Sequence, residues 1–188
     1  MSSGPADIAM VPRRVTRAER IAEDVHLFEL RDPAGGELPA FSAGAHVSVR
    51  VPNGMVRKYS LANDPAERDR YVIAVKRETP GRGGSHSLIS DVAVGGDLPV
   101  SAPANNFELA KSPAGHLFVA GGIGITPIMA MSRQLAASGG RFKLYYCTRS
   151  QGATAFRDEL LSEFRNQVVI HHDGGDPARS LDLWPVLA

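Results

Sequence analysis

Hydrophobic and polar residues alternate with a period of two through the first part of the chain. In HVSVRV, Val47, Val49 and Val51 share one side, and the polar residues between them share the other. In YVIAVKR, Tyr71, Ile73, Val75 and Arg77 share one side, and VHLFEL and DLPVS are shorter predicted strands. Turn signals such as DPAGG, VPNGM and VGGD separate the runs. Up to about residue 110, this pattern predicts a small antiparallel β-barrel or sandwich with one short helix from about Ser85.

The pattern changes after residue 113. HLFVA is a continuous apolar run, which is typical of a parallel strand covered on both faces. TPIMAMSRQLAASGG predicts a helix that is capped by Thr126, has Pro127 in its first turn and ends at Gly139. FKLYYCT, AFRDELLSEF and QVVIHH predict a strand, a helix and a strand, and SLDLWPVLA predicts the start of a further helix.

The two patterns together predict two domains. Residues 1–110 form the antiparallel β-barrel, and residues 111–188 form a partial α/β domain with a Rossmann-like parallel sheet. The second domain is expected to be incomplete, because the strand that should follow its last helix is missing.

Composition excludes several classes of protein. With 21 basic and 20 acidic side chains, the net charge of +1 argues against a nucleic-acid or anionic-membrane partner. The longest apolar run is broken by glycines and Pro127, and it falls short of the ~20 residues of a membrane helix. The start, MSSGPADIAM, lacks the features of a signal peptide. Because Cys147 is the single cysteine, a disulfide framework and a four-cysteine metal site are excluded. We therefore expect a cytoplasmic protein without a resident metal.

Two stretches of the first half point to a phosphate and a flat ring. In RKYSLAND, Arg57 can pair bidentately with a phosphate and Tyr59 can lie against a planar ring. In GRGGSHSL, Gly83 and Gly84 precede a helix start at Ser85, which is a natural phosphate seat. Each stretch alone also fits an ordinary strand end or turn. Together they predict a mononucleotide whose ring lies along the strand YVIAVKR. Backbone groups that could bond the ring edge lie at Ala74, Val75 and Lys76.

In the second half, VAGGIGITP places glycines between an apolar strand and a helix, where they can hold a dinucleotide pyrophosphate. The order is not G-x-G-x-x-G, so a tight turn without a ligand stays an alternative. No Gly-Lys-Ser/Thr follows, which excludes a phosphate-loop NTPase. His171 and His172 are adjacent on a strand and point to opposite faces, which argues against a metal site.

The ordered set R-x-Y-S, V-K-R, G-R-G-G-S and G-G-I-G-I-T-P resembles the ferredoxin–NAD(P)+ reductase superfamily. The resemblance is to its phthalate dioxygenase reductase / vanillate demethylase reductase branch, and it runs from about Val15 to the end. It implies a flavoprotein that uses FMN rather than FAD, takes electrons from NADH and passes them singly to a [2Fe–2S] centre. That centre would be a ferredoxin-like domain, and the partner a Rieske-type oxygenase or O-demethylase component.

The resemblance also implies roles for individual residues. Ser60 would lie near the reactive flavin nitrogen and Thr126 near the junction of the two rings, as the catalytic residues. The implied cofactor-binding residues are Arg57, Lys58, Tyr59, Ser60, Ala74, Val75, Lys76, Gly83, Gly84, Ser85, Gly121, Gly122, Gly124, Thr126, Thr148 and Arg149.

Two features depart from that family. The Cys-Gly-Pro strand and the cysteine-rich domain are missing, so the [2Fe–2S] centre is expected only in a longer protein. Ser150 stands where NADH-preferring relatives often carry an acid, which leaves NADPH possible. Two alternatives remain open: a free-standing flavin or ferric reductase, and a non-catalytic module that uses the flavin fold to dock a partner.

Overall fold

The computed structural model of the protein describes residues 9–78 and 81–187. The strands are β1 Met10–Ala22, β2 Val25–Arg31, β3 His46–Arg50, β4 Val56–Ser60, β5 Tyr71–Lys76, β6 Asp97–Ser101, β7 His116–Gly121, β8 Phe142–Thr148 and β9 Val168–His172. The helices are α1 Gly84–Asp91, α2 Ile125–Ala137, α3 Arg157–Phe164 and α4 Trp184–Leu187, with 3-10 turns at Gly122–Gly124 and Pro177–Arg179. Residues 79 and 80, within the predicted turn ETPGRGG, lie outside the described residues.

The first six strands form the predicted antiparallel barrel. Their order in the sheet is β4-β3-β6-β1-β2-β5. The two edge strands meet, because Leu61 after β4 bridges Ile73 of β5 and the Ala62 amide donates to the Val72 carbonyl over 2.8 Å. The alternating apolar residues point inward, as the pattern predicts. The barrel core includes Val15, Phe28, Leu30, Val47, Val49, Tyr71, Ile73 and Val75.

The hydrophobic pattern does not predict β1, although β1 lies between β6 and β2 in the middle of the sheet. Its sequence, MVPRRVTRAERIA, is rich in arginine. Arg14 pairs with Asp97 on the outer face of the strand. Arg13 lies on the same side as Val15, is buried like it, and pairs with Asp32. Charged residues therefore occupy both faces of the strand, and a prediction based on apolar residues misses it.

The last three strands form a parallel sheet in the order β7-β8-β9, as the β-α-β-α-β pattern predicts. One face packs against α2 and α3 in a single cluster that includes Phe118, Leu144 and Tyr146. The prediction that HLFVA is covered on both faces is wrong, since Leu117 is 40% exposed and Val119 is 47% exposed. Both helices lie on the opposite face of the sheet, so among the described residues these two side chains remain uncovered.

The start of α2 also differs from the prediction. A 3-10 turn at Gly122–Gly124 leads into the helix, and Gly124 occupies the N-cap position. Thr126 is therefore inside the first turn, where its Oγ1 donates to the Ile123 carbonyl over 3.1 Å instead of capping the helix. The predicted stop at Gly139 is correct: the helix ends at Ala137, and Gly139 has a φ of +70°.

The two halves share one hydrophobic cluster. The cluster beneath the parallel sheet also contains Val25, Leu27 and Val72 of the barrel. Arg133 of α2 reaches across the boundary and donates from Nη1 to the Ala62 carbonyl over 2.9 Å. On the other side, the Glu23 amide donates to the Gly152 carbonyl over 2.8 Å. This packing brings the ends of β4 and β5 next to the glycine turn before α2.

Candidate functional site

A cavity of about 420 Å³ lies between the ends of β4 and β5, the start of α1 and the glycine turn before α2. The two phosphate-directed stretches of the first half meet there, although 23 residues separate Ser60 from Gly84. The residues that line it are Arg57, Lys58, Tyr59, Ser60, Ala74, Lys76, Glu78, Arg82, Gly83, Gly84, Ser85, Ile123, Gly124, Thr126 and Pro127. A cavity of this size is within the range of small-molecule and cofactor sites.

Arg57 supplies a positive charge in this cavity. Its Nη1 donates to the Val56 carbonyl over 2.9 Å, and its Nη2 lies 2.9 Å from the Met55 sulfur. No described carboxylate forms an ion pair with it. A neutral carbonyl and a thioether are weaker partners for a guanidinium than a phosphate is. Arg57 is therefore suited to bind an anion.

The glycines before α1 bring its first turn against Arg57. Gly83 precedes the helix with a φ of +83°, which favours glycine. A Cβ at Gly84 would lie 2.9 Å from Arg57 Nε, so a side chain there would displace the guanidinium. No described side chain caps α1, and its first turn holds no acid. The first amides of the helix and the Arg57 guanidinium thus form one anion seat.

Tyr59 and Ser60 end β4 and line the same cavity. Burial raises the pKa of Tyr59 to about 12, with Arg57 opposing the shift and Glu78 adding to it. The phenol is therefore neutral at ordinary pH and offers a flat, uncharged ring. Lys58 also lines the cavity through an exposed side chain.

The peptide groups of β5 alternate between the two edges of the strand. The Val72 carbonyl accepts from the Ala62 amide on the edge that faces β4. Since alternate residues of a strand point their peptides to the same edge, Ala74 and Lys76 also face this side and the cavity. Val75 faces β2 instead, and its side chain is buried in the barrel core. The structure therefore places Val75 outside the cavity and leaves Ala74 and Lys76 at its edge.

A second cavity of about 460 Å³ adjoins the first and shares Lys76 and Ile123 with it. The glycine turn forms part of its wall. A Cβ added at Gly121, Gly122 or Gly124 would meet no atom within 4 Å. These glycines therefore leave surface clear for a ligand rather than relieving contacts inside the protein.

Tyr146 holds the glycine turn in place, although no sequence motif indicates this role. Its hydroxyl donates to the Gly122 carbonyl over 3.0 Å. The side chain is fully buried, and burial raises the pKa of Tyr146 far above its ordinary value. The hydroxyl thus stays protonated and remains a donor. FKLYYCT predicts a strand, but only the fold brings Tyr146 under a turn that lies 24 residues earlier.

The carboxyl ends of β8 and β9 form the far wall of the second cavity. Thr148 is buried, and its hydroxyl bonds Thr154 Oγ1 over 2.8 Å and His172 Nδ1 over 2.9 Å, so it supports the wall internally. Arg149 is exposed and lines the cavity. Burial raises the pKa of the Cys147 thiol, and Asp173 adds to the shift. Carboxylates that line this cavity without having been predicted are Glu23, Asp24 and Asp173.

The adjacent histidines are both engaged: His171 Nε2 lies 2.7 Å from the Arg179 carbonyl, and His172 bonds Thr148. Within residues 9–78 and 81–187, no group of three or more His, Cys, Asp or Glu side chains could hold a metal ion. Over the same residues, no helix has the length and apolar character needed to span a bilayer.

Residues 12–109 match the oxidoreductase FAD-binding domain family. The chain is 56% identical over 187 residues to the phthalate 4,5-dioxygenase oxygenase reductase subunit of Pseudomonas putida, covering 98% of this chain and 58% of that protein. It is 46% identical over 168 residues to the vanillate O-demethylase oxidoreductase of Pseudomonas putida, covering 89% of this chain and 52% of that protein. The chain thus spans little more than half the length of these relatives.

A solved structure of phthalate dioxygenase reductase has the same fold. It superposes with a TM-score of 0.92 at 52% identity, covering 94% of this chain and 56% of that protein. That protein is described as a modular structure for electron transfer from pyridine nucleotides to [2Fe–2S]. The barrel, the parallel sheet and the order of the motifs all agree with this match. The chain therefore belongs to the oxidoreductase FAD-binding domain family, in the phthalate dioxygenase reductase branch of the ferredoxin–NAD(P)+ reductase superfamily.

Proposed function

We propose that this chain is the flavin- and nicotinamide-binding part of an NADH-dependent reductase, with FMN in the first cavity and NADH in the second. One observation carries the proposal: an anion seat, a neutral aromatic ring and a glycine turn line two cavities that join at Lys76 and Ile123. When bound, FMN would accept a hydride from NADH and release single electrons. The protein's own task is to bind and align the two rings.

The anion seat favours FMN over FAD. The turn after β3 packs against α1, because the Asn53 amide donates to Ser87 Oγ over 3.1 Å. A Cβ at Gly83 would lie 3.5 Å from the Asn53 amide nitrogen Nδ2, so this turn also lies beside the start of the helix. These contacts lie beside the seat formed by Arg57 and Gly84 at the start of α1. The arrangement suits one terminal phosphate better than a pyrophosphate that continues to an adenosine.

The remaining residues have roles that follow from their positions. The Tyr59 ring would lie against the flavin, and the peptides of Ala74 and Lys76 would bond its edge. Ser60 offers a hydroxyl beside the ring. The Thr126 hydroxyl is committed to the Ile123 carbonyl, so we assign Thr126 to holding the turn where the two cavities meet.

The electron acceptor is inferred from the relatives. The two named above are a dioxygenase reductase subunit and an O-demethylase oxidoreductase, and the structural relative passes electrons to [2Fe–2S]. We therefore propose a [2Fe–2S] centre, in a ferredoxin or a further domain, as the acceptor. A Rieske-type oxygenase or O-demethylase would be the final partner.

The test begins with the visible spectrum of the purified chain after incubation with FMN and removal of the excess. Retained flavin absorbance is expected, and mass spectrometry of the released flavin should identify FMN even when FAD is offered in equal amount. Anaerobic NADH should then bleach the absorbance, and a separate [2Fe–2S] ferredoxin should be reduced in turn. A protein that retains neither flavin would contradict the proposal. Bleaching that proceeds by release of reduced FMN, without ferredoxin reduction, would favour a free-standing flavin reductase.

Replacing Tyr146 with phenylalanine is expected to weaken NADH binding and leave FMN binding unchanged. The change leaves the Gly122 carbonyl without its donor and loosens the glycine turn. One net hydrogen bond of ~0.5–1.5 kcal/mol corresponds to about a 2- to 10-fold rise in Kd. Titration of the FMN-loaded chain with NADH would measure it. Tyr145→Phe is the matched control, because this neighbour lies on the other face of β8 and lines neither cavity. Equal effects of the two changes would argue against the anchoring role.

A further inference from the structure

The stretch RKYSLAND contains a buried asparagine that lines neither cavity. Asn63 follows Ser60 by three residues and is 1% exposed. Its Oδ1 accepts from the Val72 amide over 2.9 Å, and its Nδ2 donates to the Arg70 carbonyl over 3.0 Å. A buried amide that is bonded at both ends makes the backbone around it rigid. Asn63 therefore fixes the chain just beyond the flavin-directed motif.

Asn63 lies where the barrel sheet closes. Leu61 pairs with Ile73 across the two edges of the sheet, so Ala62 stands opposite Val72. Residues that stand opposite each other in an antiparallel ladder either exchange two hydrogen bonds or form none. The Ala62 amide donates to the Val72 carbonyl over 2.8 Å, which identifies an exchanging pair. The return bond of such a pair would run from the Val72 amide to the Ala62 carbonyl.

The Asn63 side chain takes the place of that return bond. Because its Oδ1 accepts from the Val72 amide, the Ala62 carbonyl is released from the ladder. This carbonyl accepts instead from Arg133 Nη1 of α2 over 2.9 Å. Ala62 thus closes the barrel through its amide and holds the α/β half of the protein through its carbonyl.

The Ala62–Arg133 joint links the two proposed ring sites. On the barrel side, β4 and β5 run from the bridge between Leu61 and Ile73 into the walls of the first cavity. On the other side, α2 begins directly after the glycine turn at Gly122–Gly124, which lines the second cavity. A shift of α2 against the barrel would therefore move the glycine turn relative to the flavin site.

We propose that Asn63 is a positioning residue, which aligns the nicotinamide site with the flavin site by leaving the Ala62 carbonyl to Arg133. The inference rests on the proposed function, in which a hydride passes from NADH to FMN and leaves NAD+ and reduced FMN, with no further reactant. Asn63 touches neither ring. Its effect depends on the separation of the two rings, and a misplacement of about 1 Å can lower the rate of such a step by about 100-fold.

Asn63→Ala removes the acceptor, so the Val72 amide competes with Arg133 for the Ala62 carbonyl. Anaerobic stopped-flow reduction of the FMN-loaded chain at saturating NADH should give a limiting rate about 10- to 100-fold below the wild-type value. The long-wavelength absorbance of a stacked flavin–nicotinamide pair, measured on adding NAD+ to the chemically reduced chain, should fall as well. The Kd for FMN should stay close to the wild-type value, because the seat at Arg57 is intact.

Asn63→Asp separates alignment from stability. Its carboxylate keeps an acceptor for the Val72 amide, so the limiting rate should stay well above that of Asn63→Ala. It also replaces the donor Nδ2 with an oxygen that faces the carbonyls of Asp64 and Arg70, so the urea midpoint should fall at least as far as in Asn63→Ala. The two variants should therefore rank in opposite order in rate and in stability.

Two further variants complete the design. Arg133→Ala removes the donor to the Ala62 carbonyl and should slow the reduction as Asn63→Ala does. Tyr71→Phe removes another buried hydrogen bond of β5, from the hydroxyl to the Pro39 carbonyl, and lines neither cavity. It should lower the stability and leave the limiting rate unchanged. Retained FMN and far-ultraviolet circular dichroism verify that each variant is folded.

The outcomes separate this inference from the function beneath it. If NADH reduces the wild-type chain and Asn63→Ala at the same rate, the positioning role is overturned and the proposed function stands. If the rates of the two Asn63 variants follow their stabilities, Asn63 is only structural and the inference is likewise overturned. If Asn63→Ala does not fold, equal rates for Arg133→Ala and Tyr71→Phe overturn it. If the wild-type chain retains FMN and NADH does not reduce it, the proposed hydride transfer fails and this inference falls with it.

Discussion

Replacing Arg57 with alanine is expected to raise the Kd for FMN by about 10- to 100-fold, since a hydrogen bond to a charged group contributes ~1.5–3 kcal/mol. The guanidinium forms no ion pair with a described carboxylate and lies against the first turn of α1, so the phosphate would be its main partner. Quenching of FMN fluorescence on titration with the apoprotein measures the affinity. The Kd of Arg57→Lys for FMN should lie between those of the wild type and Arg57→Ala, because lysine keeps the charge and loses the bidentate geometry.

A matched control is available on the neighbouring strand. Arg50 ends β3 opposite Val56, is exposed and lines neither cavity. Arg50→Ala should leave FMN affinity unchanged while removing the same charge from the protein. If Arg57→Ala also had no effect, the phosphate would have to bind elsewhere, and the assignment of the first cavity to FMN would fail.

Replacing Arg133 with alanine is expected to lower the free energy of unfolding by about 1.5–3 kcal/mol, the range for hydrogen bonds to a charged group. The side chain is only 16% exposed. It donates to the Ala62 carbonyl of the barrel and pairs with Glu159 and Glu163 of α3. Its loss leaves a carbonyl and two carboxylates without their partner at the boundary between the two halves. Urea unfolding followed by circular dichroism would measure the change.

Arg165 provides the control for this variant. It lies exposed just after α3 and forms no ion pair among the described residues. Its replacement by alanine should change stability by about 0.5 kcal/mol or less. A similarly small loss in Arg133→Ala would mean that the apolar cluster alone joins the two halves.

The fold class could be predicted from the sequence because the spacing of apolar residues in a strand or a helix is visible within a few consecutive residues. Val47, Val49 and Val51 identify β3, and the glycines of GGIG identify the turn between β7 and α2. The same pattern missed β1, in which arginines paired with aspartates lie on both faces of the strand. It also assigned two covered faces to β7, because a run of apolar residues does not reveal on which face the helices pack.

The candidate site was predictable to the extent that its residues lie in short motifs. RKYS and GRGGS identified residues that share one cavity. Val75 was predicted to lie in the site because it stands between Ala74 and Lys76 in the sequence. Its peptide faces β2 instead, and this direction is set by the pairing of β5 with β2. Tyr146 and Asp173 lie in no motif. Tyr146 bonds Gly122, and Asp173 lies beside Arg149; each partner is 24 positions earlier in the chain.

The sequence by itself determined the order of the elements, the positions of the glycine turns and the residues able to bind a phosphate. These depend on the period of apolar residues and on backbone conformations that glycine allows, and both are properties of a few consecutive residues. Only the tertiary structure decided that the two cavities join at Lys76 and Ile123, and that Asp173 lies beside Arg149. Those relations depend on strand order and register, which bring together residues that are distant in sequence.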